Sequence, residues 1–301
     1  MFIEEFLTYI RCELNLSAHT VSSYRVDLLQ WQGWATDGGR QEFHPADVTP
    51  SDLRVWLQSL SSQHLSPRTV RRKVQSLRAF FRFMMQRHGL TSNPASELAL
   101  ARTPKPLPVY IPQDETRALL DAPVNEDNFT ELRNHLILLM FYSTGMRQDE
   151  LLTLLDRNVD TRKRELKVLG KRNKERVIPF GDELATSIET YRSLRRRDVG
   201  TASDRFFVKE DGDPLYARLI YSVVHTALSD AGVHASRLSP HVMRHSCATD
   251  MLNSGAQLPA VQQLLGHQSL ATTQVYTHIT YRELKQNYQL AHPRATKRKG
   301  G

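Results

Sequence analysis

The sequence that decides the fold of the second half of the chain is STGMRQDEL, residues 143–151. It follows a strongly apolar run, residues 132–142, which predicts a buried helix that ends at the Ser-Thr-Gly turn. A second helix is predicted to begin near Arg147 and to continue through Leu155. Glu150, three positions after Arg147, either forms an ordinary surface ion pair with it or orients its guanidinium toward a phosphate, which arginine binds through two oxygens at once.

The region that follows predicts a small sheet and then more helices. Residues 165–169 and 176–180 look like two strands joined by a polar turn, GKRNK, residues 170–174. Apolar residues return to helical spacing in five later segments, residues 184–194, 219–228, 241–252, 260–265 and 272–288. The second half of the chain is therefore expected to be a mixed, mainly helical domain.

The first part of the chain predicts four helices. Apolar residues recur there with the 3.6-residue period of a helix. Three helix starts carry capping signals: Ser17, Thr49 before a proline, and Ser66 before a second proline.

Four prolines between residues 103 and 112 indicate an extended connection between two domains. We expect a helical domain over residues 1–103, a linker over residues 104–112 and an α+β domain over residues 113–301. The predicted fold class is mainly α with a small β-sheet.

The fourth predicted helix carries charges of one sign. Seven basic residues and no acidic residue lie between Arg68 and Arg87. Exposed helices usually mix both signs, because opposite charges three or four positions apart stabilise a helix. The run favours a surface that follows DNA phosphates over an ordinary solvated face. The predicted DNA-binding residues are Arg68, Arg71, Arg72, Lys73, Arg78 and Arg82.

The composition limits the classes of function. The chain has 301 residues, with 40 Lys and Arg against 32 Asp and Glu, a formal net charge of +8. This balance favours a polyanionic partner, with a generically basic protein as the alternative. Two cysteines, Cys12 and Cys247, exclude a disulfide framework and a four-thiolate metal site. No apolar run approaches the roughly 20 residues of a membrane span, and the acidic start MFIEE is unlike a signal peptide, so a cytosolic protein is expected.

A tyrosine and a histidine–arginine pair are candidates for phosphate chemistry. Tyr276 is a poor nucleophile until its proton is removed or its charge is stabilised, and on an amphipathic helix such a tyrosine is usually a packing residue. His241 and Arg244 lie three positions apart on one face of a helix that Pro240 starts. A helix N-terminus favours a bound phosphate, although most such pairs only cap a helix or bind a carboxylate.

Two further residues complete a candidate set. Lys171 is predicted at the hairpin tip, where it is either a solvated lysine or a proton donor to a leaving oxygen. His267 follows a predicted helix end, and it either neighbours a C-cap or donates a hydrogen bond to a phosphate. The candidate catalytic residues, which could together break a phosphodiester bond without metal, are Arg147, Lys171, His241, Arg244, His267 and Tyr276.

The order of these motifs along nearly the whole chain resembles the tyrosine recombinases, the phage integrase family. The strings that carry the resemblance are STGMRQDEL (143–151), PHVMRHS (240–246), LLGH (264–267) and TTQVYTH (272–278), together with GKRNKER (170–176), similar to the family's lysine-bearing hairpin, and LSAHTVSSY (16–24), similar to its core-binding domain. The strings AHPRA (291–295), LRAFF (77–81) and NPA (93–95) are similar to the Xer branch, somewhat closer to the XerC group than to the XerD group. One departure is Asp149, where the family more often has serine.

The resemblance implies a covalent mechanism. Tyr276 would attack a scissile phosphate of duplex DNA, forming a 3′-phosphotyrosyl bond and releasing a 5′-hydroxyl. The other implied roles are charge stabilisation by Arg147 and Arg244, protonation of the 5′-oxygen by Lys171, proton movement at the tyrosine by His241, a hydrogen bond to the phosphate from His267, and orientation of Arg147 by Glu150. No cofactor and no metal ion are implied.

The resemblance also implies partners. The two domains would form a clamp around a specific DNA site, within a homo- or hetero-tetramer that includes a sister recombinase. Residues 282–292 would dock on a neighbouring protomer, although their apolar spacing is equally compatible with packing on their own domain. The implied role is resolution of chromosome dimers, with a DNA translocase such as FtsK as a further partner. Three alternatives stay open: a mobile-element integrase, a type IB topoisomerase and a non-catalytic DNA-binding regulator.

Overall fold

The computed structural model describes residues 2–37, 44–61, 63, 65–98, 110–170, 175–233, 235, 238–266 and 280–295. The chain divides into two compact units, Met1–Pro106 and Leu107–Gly301. The predicted linker, residues 104–112, stays a prediction, because residues 99–109 lie outside the described part of the chain.

The first unit contains the four predicted helices, which are α1 (Phe2–Cys12), α2 (Ala18–Asp37), α3 (Pro50–Ser61) and α4 (Pro67–His88). The capping signals are confirmed, because each capping hydroxyl accepts a hydrogen bond from the backbone N–H three residues on. The oxygen-to-nitrogen distance is 3.2 Å at Ser17, at Thr49 and at Ser66. These bonds satisfy amide groups that the first turn of a helix leaves without partners.

Aromatic rings fix α4 against α2 at the centre of the first unit. The ring centroids of Trp31 and Phe81 lie 5.5 Å apart, and those of Phe80 and Phe81 lie 5.3 Å apart. All three side chains are buried. Burial of such large rings contributes much of the hydrophobic stabilisation of a small domain.

The second unit is mainly helical, with a three-stranded antiparallel sheet of order β1-β2-β3. Its described elements are α5 (Gln113–Leu120), α6 (Phe129–Thr144), α7 (Gln148–Leu152), β1 (Val159–Asp160), β2 (Glu165–Leu169), β3 (Glu175–Pro179), α8 (Asp182–Asp198), α9 (Ala217–Asp230), α10 (Pro240–Asn253), α11 (Leu258–Leu265) and α12 (Tyr281–Ala291). Leu169 pairs with Glu175, which confirms the predicted hairpin; its tip, residues 171–174, lies outside the described residues.

The helix α6 is the central element of the second unit. Its side chains are buried on nearly all faces, and it packs against α8 and α10. A helix that is apolar all round must be surrounded by other elements. It ends at Gly145, which adopts the left-handed conformation with a φ of +58° and turns the chain toward Arg147.

The described elements differ from the predicted ones in four places. The helix that was predicted to continue from Arg147 through Leu155 ends at Leu152. The helix α5 and the short strand β1 were not predicted. Of the segment predicted as one helix, residues 272–288, the described helix α12 begins only at Tyr281, with Thr280 in an extended conformation as its N-cap. The Thr280 backbone N–H donates to the Glu283 carboxylate at 2.6 Å, and the Thr280 hydroxyl accepts from the Glu283 backbone N–H at 3.3 Å. Residues 272–279 lie outside the described residues.

The C-terminal segment packs on its own unit, one of the two arrangements that the sequence left open for residues 282–292. Leu284, Tyr288 and Ala291 of α12 are buried. The Tyr288 hydroxyl donates a hydrogen bond of 2.9 Å to the carbonyl oxygen of Ser143 at the end of α6. The apolar stripe that could have served a partner is therefore occupied within the chain. Among the described helices, none has the length and apolar character that crossing a membrane requires.

Candidate active site

Three arginines from three elements meet beside the C-terminal end of α11. Arg147 is the N-cap residue of α7, Arg176 lies on β3, and Arg244 lies in the second turn of α10. Gly145 allows this convergence, because a Cβ at that position would lie 2.6 Å from the Cδ2 atom of Leu265. The end of α6 can therefore approach the end of α11 closely.

Glu150 lies between Arg147 and Arg176 and is 3% exposed. Its Oε1 accepts hydrogen bonds from Arg147 Nη1 at 2.8 Å and from Arg176 Nη1 at 2.6 Å. Its Oε2 accepts from the Arg147 backbone N–H at 2.7 Å and from Arg176 Nη2 at 2.8 Å. Burial acts to raise the pKa of Glu150, but the hydrogen bonds and charge of Arg176, joined by the hydrogen bonds of Arg147, lower that pKa to about 2. The carboxylate is therefore ionised at neutral pH, in a buried rather than a surface ion pair.

Three successive carbonyl groups at the end of α11 each accept a hydrogen bond from a different arginine. Leu264 accepts from Arg176 Nε at 3.0 Å, Leu265 accepts from Arg244 Nη2 at 2.6 Å, and Gly266 accepts from Arg147 Nη2 at 2.9 Å. The last carbonyls of a helix lack partners inside the helix and carry partial negative charge. They are therefore suited to hold cationic side chains at fixed positions.

Arg244 is more buried than Arg147: it is 7% exposed, whereas the side chain of Arg147 is 25% exposed. Arg244 also donates a hydrogen bond to the carbonyl oxygen of Gly145. Burial, followed by the charge of Arg147, lowers the pKa of Arg244 to about 10, so the side chain remains a cation at neutral pH. The cluster contains three guanidiniums and one carboxylate, which accepts hydrogen bonds from Arg147 and Arg176. The surplus of positive charge suits a bound anion such as a phosphate.

His241 lies one turn before Arg244 on α10 and is exposed. The structure thus brings together Arg147, Arg244 and Glu150, with His241 on the adjoining turn. The other three predicted catalytic residues, Lys171, His267 and Tyr276, lie outside the described residues, and their roles stay predictions. In the sequence, His267 directly follows Gly266, whose carbonyl oxygen holds Arg147.

Arg176 is a member of the cluster that the sequence interpretation missed. It falls within the predicted strand, where an arginine is ordinarily an exposed residue. Its contact with Glu150 joins residues 26 positions apart, which only the register of the sheet determines. A signal was available in the string GKRNKER, which carries the predicted Lys171 and ends at Arg176.

The basic helix α4 does not present all of its charges to solvent. Lys73 is 3% exposed, and its ammonium donates to Asp27 Oδ1 at 3.1 Å and to the side chain of Gln30. Arg72 is half-buried; it pairs with the same aspartate and donates to the carbonyl oxygen of Ser23 at 3.1 Å. The structure therefore corrects the assignment of Lys73 to a DNA-facing surface: this residue joins α4 to α2.

Arg78 also serves the packing of the first unit. It donates hydrogen bonds to the carbonyl oxygens of Ala95 at 3.0 Å and Leu98 at 2.8 Å, in the segment after α4. The predicted residues that remain exposed are Arg68, Arg71 and Arg82. Their spacing places them along one stripe of α4, and their contact with DNA stays a prediction.

Comparison with known proteins identifies the family. The Phage integrase family matches residues 110–283, and its N-terminal SAM-like domain matches residues 3–88. Tyrosine recombinase XerC of Listeria welshimeri is 36% identical over 296 residues, which cover 97% of each chain. Tyrosine recombinase XerC of Oceanobacillus iheyensis is 36% identical over 301 residues, which cover 98% of this chain and 97% of that one.

A solved structure has the same fold. The XerH site-specific recombinase bound to difH substrate, in a pre-cleavage complex, matches with a TM-score of 0.69 and 22% identity, over 94% of this chain and 82% of that one. The relatives confirm the predicted resemblance to the Xer branch and to its XerC group. The chain belongs to the phage integrase family, and it is a site-specific DNA recombinase of the tyrosine type.

Proposed function

We propose that the chain cleaves and rejoins duplex DNA through a covalent bond between Tyr276 and a 3′-phosphate. The observation that carries the proposal is the pair of guanidiniums, Arg147 and Arg244, fixed on neighbouring carbonyls at the end of α11. The segment that contains Tyr276 continues from that same end. A phosphate bound by both arginines would therefore lie near the start of the segment that supplies the nucleophile.

The arginines would act on charge that develops at phosphorus. Toward the described residues, each uses two of its five N–H groups, and the mechanism requires the other groups to reach the non-bridging oxygens. Donors that are already fixed in place stabilise a transition state without reorganising during the reaction. Glu150 and the α11 carbonyls supply that fixed position.

The remaining candidate residues would move protons. The phenolic oxygen of Tyr276 forms a bond to phosphorus while the bond from phosphorus to the 5′-oxygen breaks. His241 accepts the phenolic proton, Lys171 gives a proton to the departing 5′-oxygen, and His267 donates a hydrogen bond to the phosphate. The phosphotyrosyl ester conserves the energy of the broken bond, so a 5′-hydroxyl from a partner duplex can reverse the step without a nucleotide cofactor.

The biological role that fits these relatives is Xer recombination in the cytoplasm, where chromosome dimers are resolved at a short specific site. The support is the similarity to XerC proteins over 97% of this chain and 97% of the Listeria welshimeri relative. Exchange between two duplexes requires four active sites, so the proposal includes a homo- or hetero-tetramer with a sister recombinase. A DNA translocase such as FtsK is a further proposed partner.

A trapping experiment tests this function. The chain is incubated with sheared genomic DNA from its own source, covalent protein–DNA complexes are precipitated in detergent, and the attached sequences are determined. The recovered site is then built into a nicked duplex, and the products are run on a denaturing gel. The expected result is a shifted band with the wild-type chain and none with Tyr276→Phe, which retains DNA binding.

Two outcomes separate the alternatives. Absence of any covalent complex would favour a DNA-binding regulator without catalysis. Relaxation of supercoiled DNA without exchange between two copies of the recovered site would favour a topoisomerase.

A further inference from the structure

The strand β3 brings a third guanidinium to the carboxylate that holds Arg147. Both terminal nitrogens of Arg176 contact Glu150, one on each oxygen, at 2.6 and 2.8 Å. Such a two-point contact fixes the plane of a carboxylate as well as its distance. Arg147 approaches Glu150 through one side-chain nitrogen and its own backbone N–H. The orientation of Glu150 therefore depends on Arg176 at least as much as on Arg147.

Arg176 is itself fixed from a second side. Its Nε donates to the carbonyl oxygen of Leu264 at 3.0 Å, and its Cδ lies over Gly266. A Cβ at Gly266 would lie 3.2 Å from that Cδ atom and 3.3 Å from the guanidinium carbon. The guanidinium therefore occupies space that a larger residue at the start of the Tyr276 segment would take.

This placement carries an electrostatic cost. The charge of Arg176 is one of the influences that, after burial and the charge of Arg147, lower the pKa of Arg244. A side chain that only fastened β3 to the rest of the unit would not need a third positive charge in this place. The cost is offset because Arg176 fixes the orientation of the Glu150 carboxylate and keeps it ionised.

Arg176 also lies close to the turn of the hairpin that carries the predicted proton donor, one register pair before the strands end. It pairs with Val168 of β2, and residues 171–174, which include Lys171, lie between the two strands. One side chain thus joins the turn end of the hairpin, the carboxylate behind Arg147 and the end of α11.

We propose that Arg176 is a positioning residue of the cleavage reaction: it sets the orientation of Glu150, and through Glu150 it sets the position of Arg147 against the scissile phosphate. The proposal rests on the proposed function, and it adds a residue that acts through Glu150 rather than on the substrate.

The test compares Arg176→Gln, Arg176→Lys, Glu150→Gln and the double variant Glu150→Gln/Arg176→Gln with the wild-type chain. The measured quantities are the rate of covalent complex formation on the nicked duplex, the dissociation constant for the same DNA, and the thermal unfolding midpoint. We expect Arg176→Gln to slow the covalent step by about 10- to 100-fold, by analogy with the loss seen when a partner that orients a metal ligand is removed. Arg176→Lys should recover part of the rate, because it restores the charge but not the two-point contact.

The double variant tests whether Arg176 acts through Glu150. We expect it to be no slower than Glu150→Gln, since the contact has already been lost there. The matched control is Arg164→Gln, which removes one positive charge beside β2 and an exposed ion pair with Asp182 at 2.7 Å. Its DNA affinity should fall as much as that of Arg176→Gln, while its covalent rate stays at the wild-type value.

A pH profile adds a readout that a purely structural role would not change. The charged groups that face Glu150 are Arg147 from its own helix, Arg176 from β3 and Arg244 from α10. Removal of the Arg176 charge lets burial raise the pKa of Glu150. In Arg176→Gln the covalent rate should therefore rise with pH over an acidic range where the wild-type rate does not depend on this group, and the double variant should lack that rise.

Several outcomes would overturn the proposal. A wild-type rate of covalent complex formation in Arg176→Gln would contradict it. So would a rate in the double variant that falls by the product of the losses in Arg176→Gln and Glu150→Gln. If Arg176→Gln fails to fold, Arg176→Lys decides: a wild-type rate and pH profile in that variant would contradict a positioning role. Absence of any covalent complex with the wild-type chain would instead contradict the proposed function, and this inference with it.

Discussion

Arg147 donates a hydrogen bond of 2.9 Å to the carbonyl oxygen of Gly266, the residue that directly precedes His267. A candidate phosphate ligand and the start of the segment that contains Tyr276 are therefore joined through one backbone atom. Gly266 adopts a φ of +64°, a conformation that side chains with a Cβ disfavour. Changes at this glycine should therefore alter catalysis as well as stability.

Substitution of Gly266 by alanine should reduce both stability and the covalent rate. The left-handed backbone should cost about 1–2 kcal/mol with a Cβ present, and the added methyl group would press against Arg176. Gly89→Ala is the matched control, because Gly89 has a φ of +69° and nothing within 4 Å of an added Cβ. Both variants should unfold earlier in urea, but only Gly266→Ala should lose covalent activity. Equal activity of the two variants would contradict the role given to the end of α11.

Glu150→Gln should destabilise the second unit by about 3–5 kcal/mol at neutral pH, because it leaves Arg147 and Arg176 without their buried carboxylate. The folded pKa of Glu150, about 2, lies below the ordinary value of 4.5, so its stabilising contribution is complete above pH 4.5 and is lost as the pH falls toward 2. This linkage amounts to about 3 kcal/mol.

The measurement must report on the second unit alone. All three tryptophans, Trp31, Trp34 and Trp56, lie in the first unit, so tryptophan fluorescence follows that unit alone. Circular dichroism follows the helices of both units, so the transition of the second unit is obtained as the part of the signal change that fluorescence does not share. The difference in unfolding free energy between wild type and Glu150→Gln should shrink between pH 6 and pH 3. A difference that does not change with pH would contradict the low pKa.

The low pKa of His292 predicts a second pH dependence of stability, at higher pH than that of Glu150. Burial, together with the charge of Arg294, outweighs the contact with the Tyr142 carbonyl and lowers the pKa of His292 from 6.5 to about 4. The neutral ring stabilises the docked C-terminal segment: its Nδ1 accepts from the Arg294 backbone N–H at 3.1 Å, and its ring stacks on Tyr288 at 4.6 Å. Stability should be complete above pH 6.5 and should fall by about 3 kcal/mol as the pH drops toward 4.

His292→Asn should unfold at lower urea concentration at pH 7 and should lose most of the change between pH 6.5 and pH 4. His135 is a necessary reference, because burial lowers its pKa too and its contribution has the same sign. The change that remains in His292→Asn should therefore match the His135 contribution, measured separately with His135→Gln. An undiminished pH dependence in His292→Asn would show that other groups control the docking of α12.

The two kinds of basic residue on α4 should respond differently to substitution. Arg82 is exposed, and Arg82→Gln should reduce the slope of log affinity against log salt by about 0.9 if it neutralises one phosphate. Lys73→Met should leave that slope unchanged but destabilise the first unit by about 1–3 kcal/mol, because the carboxylate of Asp27 loses a buried partner. Tryptophan fluorescence measures that loss. An equal change of slope in both variants would mean that Lys73 also reaches DNA.

The sequence predicted local relationships well and long-range ones poorly. The pairing of Arg147 with Glu150 was foreseen because residues three positions apart at the start of a helix meet. The pairing of Glu150 with Arg176 depends on the sheet register and on how β3 lies against α7, which no local pattern encodes. Capping residues likewise located helix starts within the first unit, because a cap is a local contact.

Lys73 illustrates an error that the sequence could have prevented. It precedes Leu77 by four residues and Phe80 by seven, so helical periodicity alone places it on the buried face of α4. The run of basic residues without an acidic one between Arg68 and Arg87 led instead to an exposed position for Lys73. Thr280 is a similar case, because the spacing of Thr280 and Glu283 is that of a capping box, but the apolar period on either side favoured one continuous helix.

The most direct test of the proposed mechanism is chemical identification of the residue that carries DNA. The covalent complex is digested with nuclease and trypsin, and the peptide over residues 245–282, which contains both Tyr276 and Tyr281, is sequenced by mass spectrometry. Tyr281 is an internal control, because its hydroxyl donates to the Glu165 carboxylate at 2.9 Å. The mechanism predicts a nucleotide joined through its 3′-phosphate to Tyr276. Attachment to Tyr281 or any other residue, or through a 5′-phosphate, would contradict it.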